Sequence, residues 1–157
     1  ESYRLQTGNV QNWDAVRKIT PDGKEEWLLV EAKAHIGELK VDRGARSARG
    51  VSMIEAAMRE TKRALGVAPN RDWRRGYYQY CNRLVALHFL NSHQEPTHLL
   101  FIYFYGDMRP DDKDCPSDKN SWTYELEMQD RHVGLPSHHY LEDRIHRIFL
   151  PVAGPYS

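Results

Sequence analysis

The sequence predicts an α/β domain: a mixed β-sheet flanked by helices, with elements in the order ββααβαβ and residues 1–157 forming a single domain. Two observations carry most of this. The chain opens with two strand-like runs joined by a turn signal, and it later holds one uninterrupted β-prone run, Leu99 to Tyr105, set between stretches of helical period. A hairpin followed by crossover units gives a sheet that is neither all parallel nor all antiparallel, with helices packed on its faces.

In order along the chain, Asn9 to Ile19 and Glu25 to His35 read as strands, and Pro21-Asp22-Gly23-Lys24 between them is turn chemistry. Lys40 to Gly50 has two glycines and no apolar period, so it reads as a basic loop. Ser52-Met53-Ile54-Glu55 has the capping-box pattern, and Ile54, Ala57, Met58, Thr61 and Leu65 follow at helical spacing until Gly66 and Pro69 stop them. A second helix is predicted from about Trp73 to Ser92, with Tyr77, Tyr80, Cys81, Leu84, Leu87 and His88 facing inward. Leu99 to Tyr105 is too continuously apolar for a solvated strand and reads as central. Pro110 to Ser121 reads as an acidic loop, Trp122 to Asp130 as a third helix, and Arg144 to Val152 as the last strand.

An apolar content of 40% with 17 aromatic residues is enough for a core. No apolar run is long enough to span a membrane and the start lacks a signal-peptide pattern, so a soluble, cytoplasmic protein without a membrane partner is expected. Cys81 and Cys115 have no framework spacing and read as free thiols. His132, His138, His139 and His146 crowd the C-terminal part, but without paired cysteines they read as scattered histidines rather than a zinc site.

Net charge is zero but unevenly spread. From Lys40 to Arg83 there are eleven Lys/Arg against four Asp/Glu, and from Gly106 onward six against ten. A basic segment is what a polyanion-binding face requires, although helix surfaces rich in arginine have the same composition. Trp73, Tyr77, Tyr78 and Tyr80 interleave with it and would stack on bases wherever they are exposed.

The chemistry centres on Trp27 to His35. Side chains alternate across a strand, so Glu31, Lys33 and His35 share one face. Asp14 lies on the partner strand. If the hairpin loop has two residues or four, paired positions sum to 45 and Asp14 falls opposite Glu31; a three-residue loop shifts the pairing and points the two carboxylates to opposite faces unless a bulge restores them. Two facing carboxylates repel unless a cation lies between them, and a hard divalent ion such as Mg²⁺ takes such oxygen ligands while keeping waters. An ammonium in the same space can hold an attacking water or stabilise charge on a phosphate. A solvated Glu/Lys pair on a polar strand face is the other reading of these residues.

Asp14, a hairpin, and Glu31-Ala32-Lys33 closing an apolar strand together resemble the PD-(D/E)XK nuclease superfamily, over roughly residues 9 to 105. The tripeptide alone is weak, since Asp22-Gly23-Lys24, Glu38-Leu39-Lys40, Glu60-Thr61-Lys62 and Asp111-Asp112-Lys113 match it too. The resemblance implies a restriction-endonuclease-like fold and a nuclease that hydrolyses DNA phosphodiesters with a Mg²⁺-activated water, Mn²⁺ substituting. It makes Asp14 and Glu31 metal ligands, adds the Ala32 carbonyl, and assigns Lys33 the catalytic ammonium. Trp13 stands where the family often has proline. The family also often has an acidic residue on a helix before the first strand; Glu1 is a poor match, so an N-terminal helix is expected to be missing. His35 is a candidate supporting residue. Gln79, Asn82 and Arg83, three and four apart on one helical stripe, resemble in position a polar motif of some members but match neither its usual spacing nor its tyrosine. Arg43, Arg46, Arg49, Arg71, Arg74 and Arg75 are the expected nucleic-acid contacts. Other classes compatible with the residues are a non-catalytic nucleic-acid-binding or interaction domain, and an enzyme acting on small phosphate esters in a closed pocket.

Overall fold

The structure is a computed structural model that describes residues 12–40, 47–107 and 115–152. Strands β1 (Ala15–Ile19), β2 (Glu26–Lys33), β3 (Thr97–Tyr105) and β4 (Ile145–Pro151) form one mixed sheet in that order. The β1 strand is antiparallel to β2, whereas β2, β3 and β4 run parallel. Parallel neighbours need crossovers, and these carry the helices: α1 (Ala48–Leu65) and α2 (Tyr78–Ser92) between β2 and β3, and α3 (Lys119–Val133) between β3 and β4. The described residues are thus α/β, with a four-stranded mixed sheet and three α-helices.

One face of the sheet is the core. Leu29, Leu99, Phe101 and Tyr103 project from it against Tyr80, Leu84 and Leu87 of α2 and Trp122, Leu126 and Val133 of α3, all buried. Tyr80 stacks on Phe101 and Trp122 packs on Tyr103, so α2 and α3 share this face, and α1 packs against α2. On the opposite face, Leu28, Val30, Leu100, Ile102 and Phe104 are half-buried, and Ile148 and Leu150 are exposed. Glu31 and Lys33 fall on the core face, where the alternation of β2 puts two charged side chains beneath α2.

The boundaries differ from the sequence expectation where local chemistry acts. Helix α1 starts one turn before the predicted cap because Ser47 accepts the Gly50 N–H at 3.1 Å, which leaves Ser52 inside the helix. Helix α2 starts at Tyr78 rather than near Trp73, since Gly76 takes φ +79° and interrupts the incoming chain. Its predicted inward residues are buried except His88, which is half-exposed. Helix α3 is longer than expected at both ends: Asp118 caps Ser121 N–H at 2.9 Å, and Gly134 closes the helix in the left-handed region. The β2 strand ends at Lys33 because the Glu38 carboxylate accepts both the Ala34 and His35 N–H groups and turns the chain into a 3-10 segment, Ile36–Lys40. The predicted strand from Asn9 begins only at Ala15, with residues 9–11 outside the described part.

Gly134 shows how tightly α3 is fastened. A Cβ there would lie 2.7 Å from Arg71 Nε, and Arg71 holds the Arg131 carbonyl at 2.6 Å. With φ at +70°, Gly134→Ala is expected to lower stability by about 1–2 kcal/mol, seen as an earlier urea midpoint.

Acid acts on the fold through histidines. Burial holds His88, His139 and His146 below the ordinary imidazole range, and for His146 the neighbouring His98 and Arg144 add to this. The folded state therefore binds fewer protons than the unfolded chain near pH 6.5. Stability from these groups is present above that pH and is lost as pH falls through it. The melting temperature is expected to be lower at pH 5.5 than at pH 7.5, as read by circular dichroism.

Candidate active site

The hairpin keeps a register in which Ala15 to Ile19 pair with Val30 to Glu26, so every partner pair sums to 45. The connection is longer than the loops considered from sequence: residues 20–25, with a 3-10 turn over Pro21–Gly23 in which Asp22 and Gly23 have positive φ. The register does not continue to Asp14. Its N–H donates to the Val30 carbonyl at 3.1 Å, and Val30 already faces Ala15, so two successive residues address one, as in a β-bulge. Asp14 is thus not paired opposite Glu31. Its Oδ2 instead accepts the Ala32 N–H at 2.7 Å, which places the carboxylate beside the backbone of the tripeptide.

Glu31 is buried and both its oxygens are engaged. Oε1 accepts from Lys33 Nζ at 2.6 Å, and Oε2 accepts from the Arg83 guanidinium at 2.9 Å. Lys33 also donates to Gln79 Oε1 at 2.7 Å. The relative exposures, 4% for Glu31, 7% for Lys33 and 5% for Arg83, overturn the reading of a solvated Glu/Lys pair. A buried charge is costly without partners, and two cations around one carboxylate leave this cluster formally positive. Glu31, Lys33, Gln79 and Arg83 border a cavity of about 10 Å³, floored by Tyr103 and Gln129. Tyr103 Oη and Gln129 Oε1 are buried with no hydrogen-bond partner among the described residues, and the space suits one water. Burial raises the Tyr103 phenol well above its ordinary value, so it stays neutral.

The remaining sequence candidates divide clearly. Gln79 and Arg83 join the cluster, and Asn82 is half-buried on the same helix. His35 stands off from it and pairs with Glu38 at 3.3 Å. Arg49 and Arg75 are exposed, Arg74 pairs with Glu55, and Arg71 is committed to the end of α3. Arg43 and Arg46 lie outside the described residues. Trp73, Tyr77, Tyr78 and Tyr80 are all buried, so none of them offers a ring to a base. His132 meets the Asp72 carbonyl, His138 meets Glu142, His139 accepts the Leu141 N–H, and His146 meets His98.

Sequence reasoning missed three contributors: Trp13, whose ring lies 4.2 Å from the Arg83 guanidinium, and the two orphaned groups of Tyr103 and Gln129. Trp13 was in view only as a departure at a family position, while Tyr103 is hidden in an apolar run. Nor did it single out Arg59 and Arg63, exposed cations on a groove of about 770 Å³ along α1.

Among the described residues no three His, Cys, Asp or Glu side chains converge on one point. The donors at the end of β2 are the carboxylates of Asp14, Glu31 and Glu38 and backbone carbonyls, all oxygen. Oxygen donors of this kind are the ones a hard cation such as Mg²⁺ takes, rather than zinc. The N–H and C=O of a strand residue point to the same side, so the Ala32 carbonyl lies on the side of Asp14. No described helix is long and apolar enough to cross a membrane. No family model, curated protein or solved structure matches the chain.

Proposed function

We propose that the chain is a Mg²⁺-dependent nuclease of restriction-endonuclease-like fold that hydrolyses DNA phosphodiester bonds at the end of β2. The observation that carries this is a buried lysine, Lys33, held at once by Glu31 and Gln79, one residue beyond the Ala32 N–H that Asp14 accepts.

Asp14 and Glu31 would hold the ion, with the Ala32 carbonyl as a further oxygen. When bound, Mg²⁺ supplies a water of lowered pKa and polarises a phosphate oxygen. Lys33 Nζ lies at the carboxylate where that water would stand, and there it orients the water and stabilises charge on the phosphate. Gln79 keeps the ammonium aimed. Arg83 stays on Glu31, so the carboxylate keeps a partner and its place when Lys33 turns to substrate. The two buried cations favour a polyanion.

The size of the cavity speaks for a polymer rather than a small phosphate ester as substrate. Pockets that enclose such ligands are some 300–1,000 Å³, against about 10 Å³ here, so on this reading the substrate would lie across the surface at the end of β2 rather than inside. A non-catalytic nucleic-acid-binding domain is the second reading, and the double pairing of Glu31 favours it, because both oxygens are already used. Calorimetric titration with Mn²⁺ separates the two. A nuclease binds Mn²⁺ and loses it in both Asp14→Asn and Glu31→Gln; a binding domain shows no Mn²⁺ heat that depends on these residues.

A further inference from the structure

Arg83 is tied to both segments that bear the candidate ligands. Its guanidinium donates to Glu31 Oε2 at 2.9 Å, and Nη2 donates to the Asn12 carbonyl at 2.7 Å. Its plane also lies over the Trp13 ring at 4.2 Å. Asn12 and Trp13 lead directly into Asp14, which precedes β1 and is exposed. Asp14 itself meets β2 through its N–H on the Val30 carbonyl and its Oδ2 on the Ala32 N–H. The second competes with any cation for the carboxylate. Once Oδ2 turns to a metal, the contacts that remain to this bend among the described residues are the Asp14 N–H on Val30, the packing of the Trp13 ring against the core, and the Arg83 bridge to Asn12 and Trp13.

We infer that Arg83 is a positioning residue, one that sets the distance between the Asp14 and Glu31 carboxylates and so the affinity and hydration of the divalent-cation site. This rests on the nuclease reading. The guanidinium is suited to the task because it is planar and has donors pointing in several directions. It can serve a carboxylate and a carbonyl in its plane while its face lies on an indole. A lysine ammonium carries the charge but cannot stack and bridge in the same way. If the clamp is lost, Glu31 keeps Lys33 and stays in place, whereas Asp14 would be free to shift with its bend and would no longer be held where it could serve the ion.

The test uses Tb³⁺ as an oxygen-seeking probe, with luminescence lifetimes in H₂O and D₂O counting the waters bound to it. Wild type, Arg83→Lys, Trp13→Leu and Asp14→Asn are compared, and circular dichroism melts report folding. Arg83→Lys is expected to weaken Tb³⁺ binding by about 10–100-fold, the range for losing a residue that orients a ligand, and to raise the water count to that of Asp14→Asn. Trp13→Leu, which removes the stacking surface and trims the packing on the core but leaves the Arg83 bonds to Glu31 and Asn12, is expected to move both readouts in the same direction by less, and, where its melt shows it folded, it decides the matter if Arg83→Lys does not fold. Wild-type affinity and water count in the folded variants, with Asp14→Asn defective, would overturn the inference and leave the nuclease reading standing. A lowered melting temperature with an unchanged water count would mean a purely structural arginine and would overturn it as well. If Tb³⁺ binding is absent, or is indifferent to Asp14→Asn and Glu31→Gln, the nuclease reading itself fails and takes this inference with it.

Discussion

Lys33→Ala is expected to slow Mg²⁺-dependent cleavage of duplex DNA by about 10²–10⁴-fold, the usual contribution of a positioned proton-transfer or charge-stabilising group. The variant should still fold, because Glu31 keeps Arg83 as its partner at 2.9 Å. It should also bind DNA within a few-fold of wild type, since one lost cation among several phosphate contacts changes the electrostatics little. The loss is therefore expected in kcat rather than KM under saturating DNA. Lys33→Arg should not restore the rate: a guanidinium stays protonated and is too broad for the space between Glu31 Oε1 and Gln79 Oε1, which Nζ fills at 2.6 and 2.7 Å. A rate that falls less than threefold in Lys33→Ala would remove the lysine from the mechanism.

Glu31→Ala is expected to act on the fold itself. It would leave Lys33 and Arg83, both buried, without their shared carboxylate, and breaking a buried pair from one side is destabilising by about 3–5 kcal/mol. Domains of this size have roughly 5–15 kcal/mol in total, so the alanine variant should be only marginally folded at room temperature. Glu31→Gln keeps an acceptor and the side-chain volume, loses the charge, and should sit between. Chemical denaturation of the three proteins checks the order. The direction is diagnostic, because removing a carboxylate from a site held together only by repelling acids would stabilise the chain. An increase in stability for Glu31→Ala would mean that Glu31 is not ion-paired as described. Tests of activity at this position should therefore use glutamine, so that lost cleavage is not lost folding.

Much of the architecture is written in local chemistry, and the exceptions have physical causes. The β2 strand, β3 and the cores of the three helices follow from period and composition, because long apolar stretches leave few alternatives. Helix starts were misplaced where a better cap lay nearby: Ser47 satisfies the first turn of α1, and a capping-box pattern read inside a helix carries no information about its end. The pairing of Ala15 with Val30 was legible from turn chemistry as one of the possible registers, although the loop proved longer than those considered. The deviation at Asp14 was not legible, since the residues leading into it, Asn12 and Trp13, meet Arg83, which is some seventy residues away in sequence. Gln79 and Arg83 could be found from their four-residue spacing on a helix, but not their burial, because nothing local says which face of α2 meets β2. Tyr103 and Gln129 were hidden for the opposite reason. Each sits in a run whose other members explain it, as core strand or helix surface, and only the orphaned oxygens under Lys33 set them apart.

The central claim, that the end of β2 is a metal-dependent phosphodiesterase site, is tested most directly by incubating the purified chain with end-labelled duplex DNA in Mg²⁺, in EDTA, and in Mg²⁺ with Glu31→Gln in place of wild type. The account predicts strand cleavage in the first mixture alone. Cleavage that persists in EDTA or with Glu31→Gln, or its absence for folded wild type in both Mg²⁺ and Mn²⁺ across single- and double-stranded DNA, would contradict it.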